Sequence, residues 1–582
     1  MNKLVRVFAS AALLVSVITL FTRLVGFLRW LVFSPTVGAG TVGSAYQSAN
    51  LVPNILFEVV AGGALAGAVI PLLAIPLARS DRQTAGRIAS ALLTWAVSVT
   101  LPLSIILAVF AHPIATVLTG SAPGKAPQVE ATVVFLLMFS PQLVLYGIGA
   151  VLTGVLQAHR KFVWPAFAPL LSSLVVIGSY VVYSVVGGTD DTWRTHIGWL
   201  GWGTTIGVAA LALPLALPMR STGLRIRPTW SFPPGVAHRA LRLAGAGMAA
   251  LLAQQGAMLA TILVSNRVGG EGTFVLFSYI NAVYLLPYGV LAVTVATITF
   301  PSLSAWVGRS KDAEASQGER DAAEVSMRQL TSTTTALIIT IGFLGALILI
   351  SAAGPLQAFF TAIDTAGQGQ KGAPFGAMSQ SIMVMALAVP GWSFVAWGTR
   401  VFYAMERSRH SAVATTTGWI FVIVGMLLAI VFTNAFGDAG LTLISICLGY
   451  ALGMSVAGAF LLFSMSRVLG PAGLARVGRR SLLSLVAAIV ASTVGVLISH
   501  WLAGLLGTGA APSVINGVVS ALIGCAIFVG FLLIDRGYLG EVRGLLAGRR
   551  GGGHQPGPTT GSNPTDSSHQ NADSSQQNQD ET

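Results

Sequence analysis

Residues 7–33 read "VFASAALLVSVITLFTRLVGFLRWLVF", twenty-seven residues whose only charges are Arg23 and Arg29. As an α-helix at 1.5 Å per residue this run extends about 40 Å, more than the roughly 30 Å of a bilayer's hydrocarbon. Lys3 and Arg6 precede it as they would precede a signal peptide. The apolar stretch is too long for one, however, and carries no small-residue cleavage site, so it is read as a first membrane helix. Comparable runs recur along nearly the whole chain of 582 residues, 54% of them hydrophobic and 9% charged, with a mean hydropathy of +0.76. Only helices or closed barrels satisfy the backbone in lipid, and runs of this length select helices. The fold class expected is an all-α polytopic membrane protein. Its spans fall near 7–33, 43–78, 86–118, 129–156, 163–186, 198–217, 239–265, 272–302, 329–353, 376–403, 411–434, 438–464, 480–503 and 514–534.

The net charge of +13 comes from 33 basic against 20 acidic residues. Its distribution excludes nucleic acid as the partner. Taking alternate connections from the N-terminus, one side collects 27 of the 33, from Lys3 and Arg6 through Arg79, Arg82 and Arg87 to Arg549 and Arg550. The other side holds only Lys125, Arg194, Arg267 and Lys371. Such a bias places the basic loops in the cytoplasm and predicts a multi-pass protein of the cell membrane, surrounded by membrane lipids, with both termini inside. Single cysteines at Ser80 and Ser310 are therefore expected to react with an impermeant thiol reagent only after permeabilisation, and one at Thr189 in intact cells. The opposite labelling pattern would invert the topology.

Cys447 and Cys525 sit inside apolar runs and read as small hydrophobes rather than a disulfide. Residues 551–582 are polar, with no aliphatic residue but alanine, and belong to a disordered cytoplasmic tail over 541–582. That tail is mainly solvating, with docking of a cytoplasmic partner as its other use. "LQAHRKFVWPAFA" from Leu156 aligns without gaps on "FYAMERSRHSAVA" from Phe402, each joining two helices through a short basic loop. An offset of six helices preserves orientation. It predicts two parallel lobes, 1–225 and 226–470, followed by two further helices in 471–540.

No phosphate-binding GxxxxGK[ST] loop, HExxH or CxxC occurs, so no catalytic residue, metal site or cofactor is assigned and the chain is not read as an enzyme. Polar groups inside the spans are the informative ones. Arg23 lies about 24 Å along the first helix from Val7, still within hydrocarbon, where an arginine costs at least about 2.5 kcal/mol. It is read as a cavity residue. Arg29, nearer the helix end, fits either that role or snorkelling to the interface. On a straight helix the two point roughly 120° apart, and a bend at Gly26 is one way to bring them together. Glu58, in mid-helix, either pairs with an arginine of the first helix or gates the same cavity. Asn54, Gln254, Gln255 and Asn281 are cavity candidates whose ordinary alternative is an interhelical hydrogen bond.

"TRLVGFLRWLVFSPTVGAG", "LVPNILFEVVAGGALAGAVIPLLA", "PAFAP" at 165–169, "LLPYGVLAVTVATITFPSLS" and "FYAMERSR" together resemble the MurJ/MviN family of lipid II flippases. That family lies in the multidrug/oligosaccharidyl-lipid/polysaccharide exporter superfamily, and the likeness covers about residues 1–540. "LLPYGV" and the polar tail resemble actinobacterial members. The resemblance implies fourteen helices in two lobes around a cationic cavity that holds the pyrophosphate of the undecaprenyl-linked muropeptide, lipid II, with Arg23 and Arg29 matching the family's first-helix arginines. The chain departs from it at Phe57 and Glu58, where many members are basic, and at Asn281 and Ala282, where Asp-Arg is frequent. No acidic cluster stands in the seventh, eleventh or twelfth helix to ligate sodium. The function expected is outward flipping of lipid II by alternating access. The alternatives are a multidrug or polysaccharide-repeat exporter of the same fold, or a non-transporting cell-wall scaffold.

Overall fold

The computed structural model describes residues 3–59, 66–122, 124–234, 236, 240, 248–367, 373–470, 474 and 477–533. The tail, Lys371 and several of the basic loop residues lie outside them. Among the described residues all regular structure is helical. The first half comprises α1 (Lys3–Thr36), α2 (Thr41–Phe57), α3 (Ala66–Ala78), α4 (Arg82–Val109), α5 (Ala111–Thr119), α6 (Ala126–Phe139), α7 (Gln142–Ala158), α8 (Val163–Val185) and α9 (Trp193–Ala212). The second comprises α10 (Met248–Val264), α11 (Thr273–Pro287), α12 (Val293–Ser310), α13 (Gln317–Gly367), α14 (Met378–Ala386), α15 (Ala388–Ala404), α16 (Ser408–Thr433), α17 (Ala439–Leu469), α18 (Val477–Leu506) and α19 (Ala510–Leu532).

Eleven described stretches are long and apolar enough to cross a bilayer, twelve when α6 and α7, bent by 41°, count as one. The first expected span corresponds to α1. The second corresponds to α2 with α3, and residues 60–65 between them lie outside the described residues. The protein is an all-α polytopic membrane protein.

Several expected spans are broken, and proline explains where. A proline ring clashes with the carbonyl four residues earlier. Pro113 ends α4 at Val109, Pro390 ends α14 at Ala386, and Pro141 marks the α6–α7 bend. After Pro287 the chain makes a π-helical turn, Tyr288–Ala292, before α12 resumes. Conversely, α13 starts well before the expected 329. Ser316 and Glu319 form a capping box, with Ser316 N 2.9 Å and Oγ 2.8 Å from Glu319 Oε2, and Glu319 N 3.3 Å from Ser316 Oγ.

The two aligned loops end their helices identically. At the first, Arg160 is left-handed at φ 59°, Lys161 N donates to Leu156 O at 2.9 Å and Arg160 N to Gln157 O at 2.9 Å. At the second, Glu406 is left-handed at φ 60°, Arg407 N donates to Phe402 O at 2.8 Å and Glu406 N to Tyr403 O at 3.1 Å. Each is a Schellman closure with a non-glycine residue where glycine is usual.

Packing runs largely within each half of the chain: α1 on α8, α8 on α9, α2 on α6 and α4 on α7, then α16 on α17 and α15 on both α13 and α17. The last two helices, α18 and α19, pack on each other and on α13. The halves meet where α1 and α2 touch α11, and where α1 touches α13. At the end bearing the α2 N-terminus they are tied by hydrogen bonds. Asn266 Nδ2 donates to Ser48 Oγ at 2.9 Å and to Leu118 O at 3.1 Å, Gly272 N donates to Ser44 Oγ at 2.9 Å, and Arg267 Nη2 donates to Val117 O at 2.7 Å. Lys125 Nζ adds bonds to Thr119 O, at 3.1 Å, and to Asn266 O.

Candidate substrate cavity

A cavity of about 340 Å³ opens between the halves, and Asn54, Glu58, Gln254, Gln255 and Asn281 all line it. They come from α2, α10 and α11, which sequence spacing alone could not bring together. Among the described residues Gln254, Gln255 and Asn281 make no hydrogen bond to another side chain or backbone, so their amides face the cavity rather than a neighbouring helix. Asn54 is anchored: its Nδ2 donates to Asn50 O at 2.8 Å, and Tyr146 Oη donates to its Oδ1 at 3.1 Å. Glu58 is exposed at the start of a π-helical turn and, among the described residues, forms no ion pair with Arg23 or Arg29.

The wall opposite is aromatic. Tyr284, Trp392, Trp419 and Tyr450 line it, with Trp392 and Trp419 edge to face at 5.5 Å. Trp392 Nε1 and Tyr284 Oη are buried donors without a hydrogen-bond partner among the described residues. Buried donors left unpaired cost roughly 1–3 kcal/mol each. None of these four aromatic residues was singled out by the sequence, since each sits in an apolar run where its polar atom adds no charge.

The two first-helix arginines do not converge. α1 runs through both as one continuous helix, and the two have different neighbours, Gly289 for Arg23 and a cluster of tyrosines for Arg29. Arg29 is half-buried, with Cζ 5.7 Å from the Trp30 ring centroid, and sits in the electrostatic field of Tyr46, Tyr146 and Tyr180. Tyr46 Oη is 3.0 Å from Tyr180 Oη and 2.8 Å from Thr204 Oγ1, a hydroxyl network that holds this pocket polar. Tyr146, one of the residues of this environment, is hydrogen-bonded to Asn54 of the cavity, which Arg29 itself does not line. Arg23 is exposed and lies against Gly289 of the π-helical turn, where any side chain would collide with its Nη1. Tyr288 beside it is also influenced by Arg400.

Arg400 lies inside α15, within the expected span 376–403, half-buried, with Nη1 donating to Ala396 O at 2.6 Å and Nη2 to Thr297 Oγ1 at 3.3 Å. In "GTRVFYA" the apolar helix continues for a full turn beyond the arginine.

The polar lining and the aromatic residues make a chamber suited to a polar molecule, and Arg23 and Arg29 are not among the residues that line it. A family model for the lipid II flippase MurJ matches residues 33–515. The chain belongs to the MurJ family. Its members are transporters of the lipid-linked precursor rather than enzymes. A probable MurJ of Rhizobium tropici is 26% identical over 88% of this chain and 91% of its own length. One of Rhizobium meliloti (strain 1021) is 27% identical over 49% of this chain, and that match spans 53% of the relative. Among solved structures, a lipid II flippase MurJ in an inward closed conformation superposes with TM-score 0.62 at 18% identity, covering 90% of this chain and 100% of that one. A multidrug resistance transporter of the MATE family, solved inward-facing, shares the fold at TM-score 0.58 and 15% identity over 81% of this chain and 98% of its own.

For this MurJ-family chain the departures noted in its sequence acquire a structural sense. Phe57 packs on Tyr146 with ring centroids 4.5 Å apart and ring planes tilted by 32°. It thereby supports the hydroxyl that holds Asn54. Asn281 keeps a polar, uncharged group on the cavity wall.

Proposed function

We propose that this MurJ-family chain carries the lipid II headgroup from the cytoplasmic to the outer leaflet by alternating access of two lobes, residues 1–225 and 226–470, with 471–540 as an attached helical pair. Both termini are cytoplasmic in this reading, and the tail is a solvating segment open to a cytoplasmic partner. Arg23 and Arg29 receive the pyrophosphate. Asn54, Glu58, Gln254, Gln255 and Asn281 meet the polar muropeptide, and the aromatic wall offers faces for sugar rings. The observation that carries the reading is one cavity lined by polar groups from both halves of the chain.

The chemistry requires such a site. Ionised phosphates resist transfer from water into an apolar medium by tens of kcal/mol in the Born limit. A guanidinium offers a planar fork to phosphate oxygens and stays charged at every physiological pH. At about 340 Å³ the cavity lies at the small end of the ~300–1,000 Å³ range of ligand sites, so it holds a fragment of the headgroup, and the lobes must part to admit the rest. The polyprenyl chain stays in lipid throughout. Net charge moved during the cycle couples it to the membrane potential at about 2.3 kcal/mol per charge per 100 mV.

Depletion of the protein in cells tests this directly. Lipid II headgroups at the outer surface are expected to fall while total lipid II rises, and re-expression should reverse both. Unchanged exposure, with loss of export of a different solute, would replace lipid II by another cargo. Exposure restored by a variant whose cavity is blocked would favour the scaffold role.

A further inference from the structure

A second cavity, of about 520 Å³, lies away from the first, between the start of α4 and the segment that joins the two halves of the chain. Arg82 and Arg87 line it from α4, and Arg225 and Arg227 from the connecting segment. The segment is docked rather than loose. Arg227 N donates to Ser90 Oγ at 3.0 Å, Thr229 N to Thr94 Oγ1 at 3.0 Å, and the paired tryptophans close its far end, with Trp95 Nε1 donating to Trp230 O and Trp230 Nε1 to Ser98 Oγ, both at 3.0 Å. Gly86 permits this approach: a Cβ there would stand 3.3 Å from Arg225 O. Arg225 and Arg227 are two residues apart on extended chain and so share a face, and Arg82 and Gly86 share a helix face.

Four guanidinium groups are therefore held around one cavity. Among the described residues none of the four is in an ion pair, and no carboxylate lines the space. The carboxylate next in sequence, Asp81, is spent on the helix cap, accepting from Thr84 N at 2.9 Å. A topology signal needs basic residues only on the correct side of the membrane, whereas these are gathered by backbone hydrogen bonds into a pocket. Trp95 and Trp230 are 45% and 63% exposed, as aromatic residues at a membrane–water interface are. Gly86 is nine residues, or about 13 Å, above Trp95 along α4, which sets the cavity just beyond that interface.

We propose that this cavity is a phosphate-binding site, distinct from the substrate chamber and independent of the identity of its cargo. Paired arginines clamp phosphate oxygens in bidentate fashion, and basic pockets at this level take anionic headgroups. The phosphate comes either from the headgroup of an anionic membrane lipid or from a soluble phosphate compound.

The test uses the full chain in nanodiscs of phosphatidylcholine, with phosphatidylglycerol added in one arm and inorganic pyrophosphate in the other. Thermal unfolding is followed for the wild type and for Arg225→Gln/Arg227→Gln. If the source is a lipid headgroup, phosphatidylglycerol raises the wild-type midpoint, the variant needs about tenfold more of it for the same rise, and pyrophosphate acts equally on wild type and variant. If the source is soluble, pyrophosphate gives that pattern. Equal responses of wild type and variant in both arms overturn the proposal. Arg82→Gln/Arg87→Gln, on the other wall, must reproduce the shift and serves alone if the first variant does not accumulate.

Discussion

Arg23→Ala is expected to abolish rescue of cells depleted of their own lipid II flippase, although the protein inserts and accumulates at wild-type levels. Removing a charge from a membrane helix favours insertion, so loss of activity cannot be ascribed to loss of protein. Each hydrogen bond to a charged partner contributes roughly 1.5–3 kcal/mol, and losing one or two should slow flipping by at least about tenfold. Arg23→Lys should recover part of the rate, because a point charge replaces a planar fork. If Arg23 instead served to neutralise Glu58, the alanine variant would be unstable and Glu58→Ala would restore it. Among the described residues the two are not ion-paired, so the double variant is expected to stay abundant and inactive. A functional double variant would sink the phosphate role of Arg23.

The largest effect expected is complete and reversible arrest by a strap across the end bearing the α2 N-terminus. Asn266 Nδ2 to Ser48 Oγ and Gly272 N to Ser44 Oγ, both 2.9 Å, tie the second half of the chain to α2. Bonds of this kind contribute about 1 kcal/mol each, weak enough to break once per transport cycle, as alternating access requires. A covalent link is not. In a background with Cys447 and Cys525 changed to alanine, Ser48→Cys/Asn266→Cys should flip lipid II at near the wild-type rate. A short thiol-cleavable crosslinker should then stop it entirely, and a reductant should restore it. Each single cysteine variant, treated identically, should be unaffected. Undiminished flipping by fully crosslinked protein would rule out rocking of the two halves as the mechanism.

Much of this was legible in the sequence because lipid imposes a severe rule. Backbone groups must be satisfied within each span, so apolar length alone marks helices, and the breaks at Val109 and Ala386 lie four residues before Pro113 and Pro390. The early start of α13 was legible too, as Ser316 and Glu319 at capping-box spacing, but its polar first turns resemble a loop when only hydropathy is weighed.

The sequence by itself determined that the chain is an all-helical membrane protein, which loops are basic, and which polar residues sit improperly deep in lipid. Each of these follows from the cost of moving a group out of water, a property of the residue and its local run. The tertiary structure alone decided which of those residues meet. Asn54, Glu58, Gln254, Gln255 and Asn281 share one cavity, while Arg29 lies among Tyr46, Tyr146 and Tyr180 and Arg23 turns to Gly289. It decided equally that Arg82, Arg87, Arg225 and Arg227 enclose another. Helical periodicity sets the direction of a side chain relative to its own axis, whereas the rotation and neighbours of that axis come from packing between helices more than a hundred residues apart.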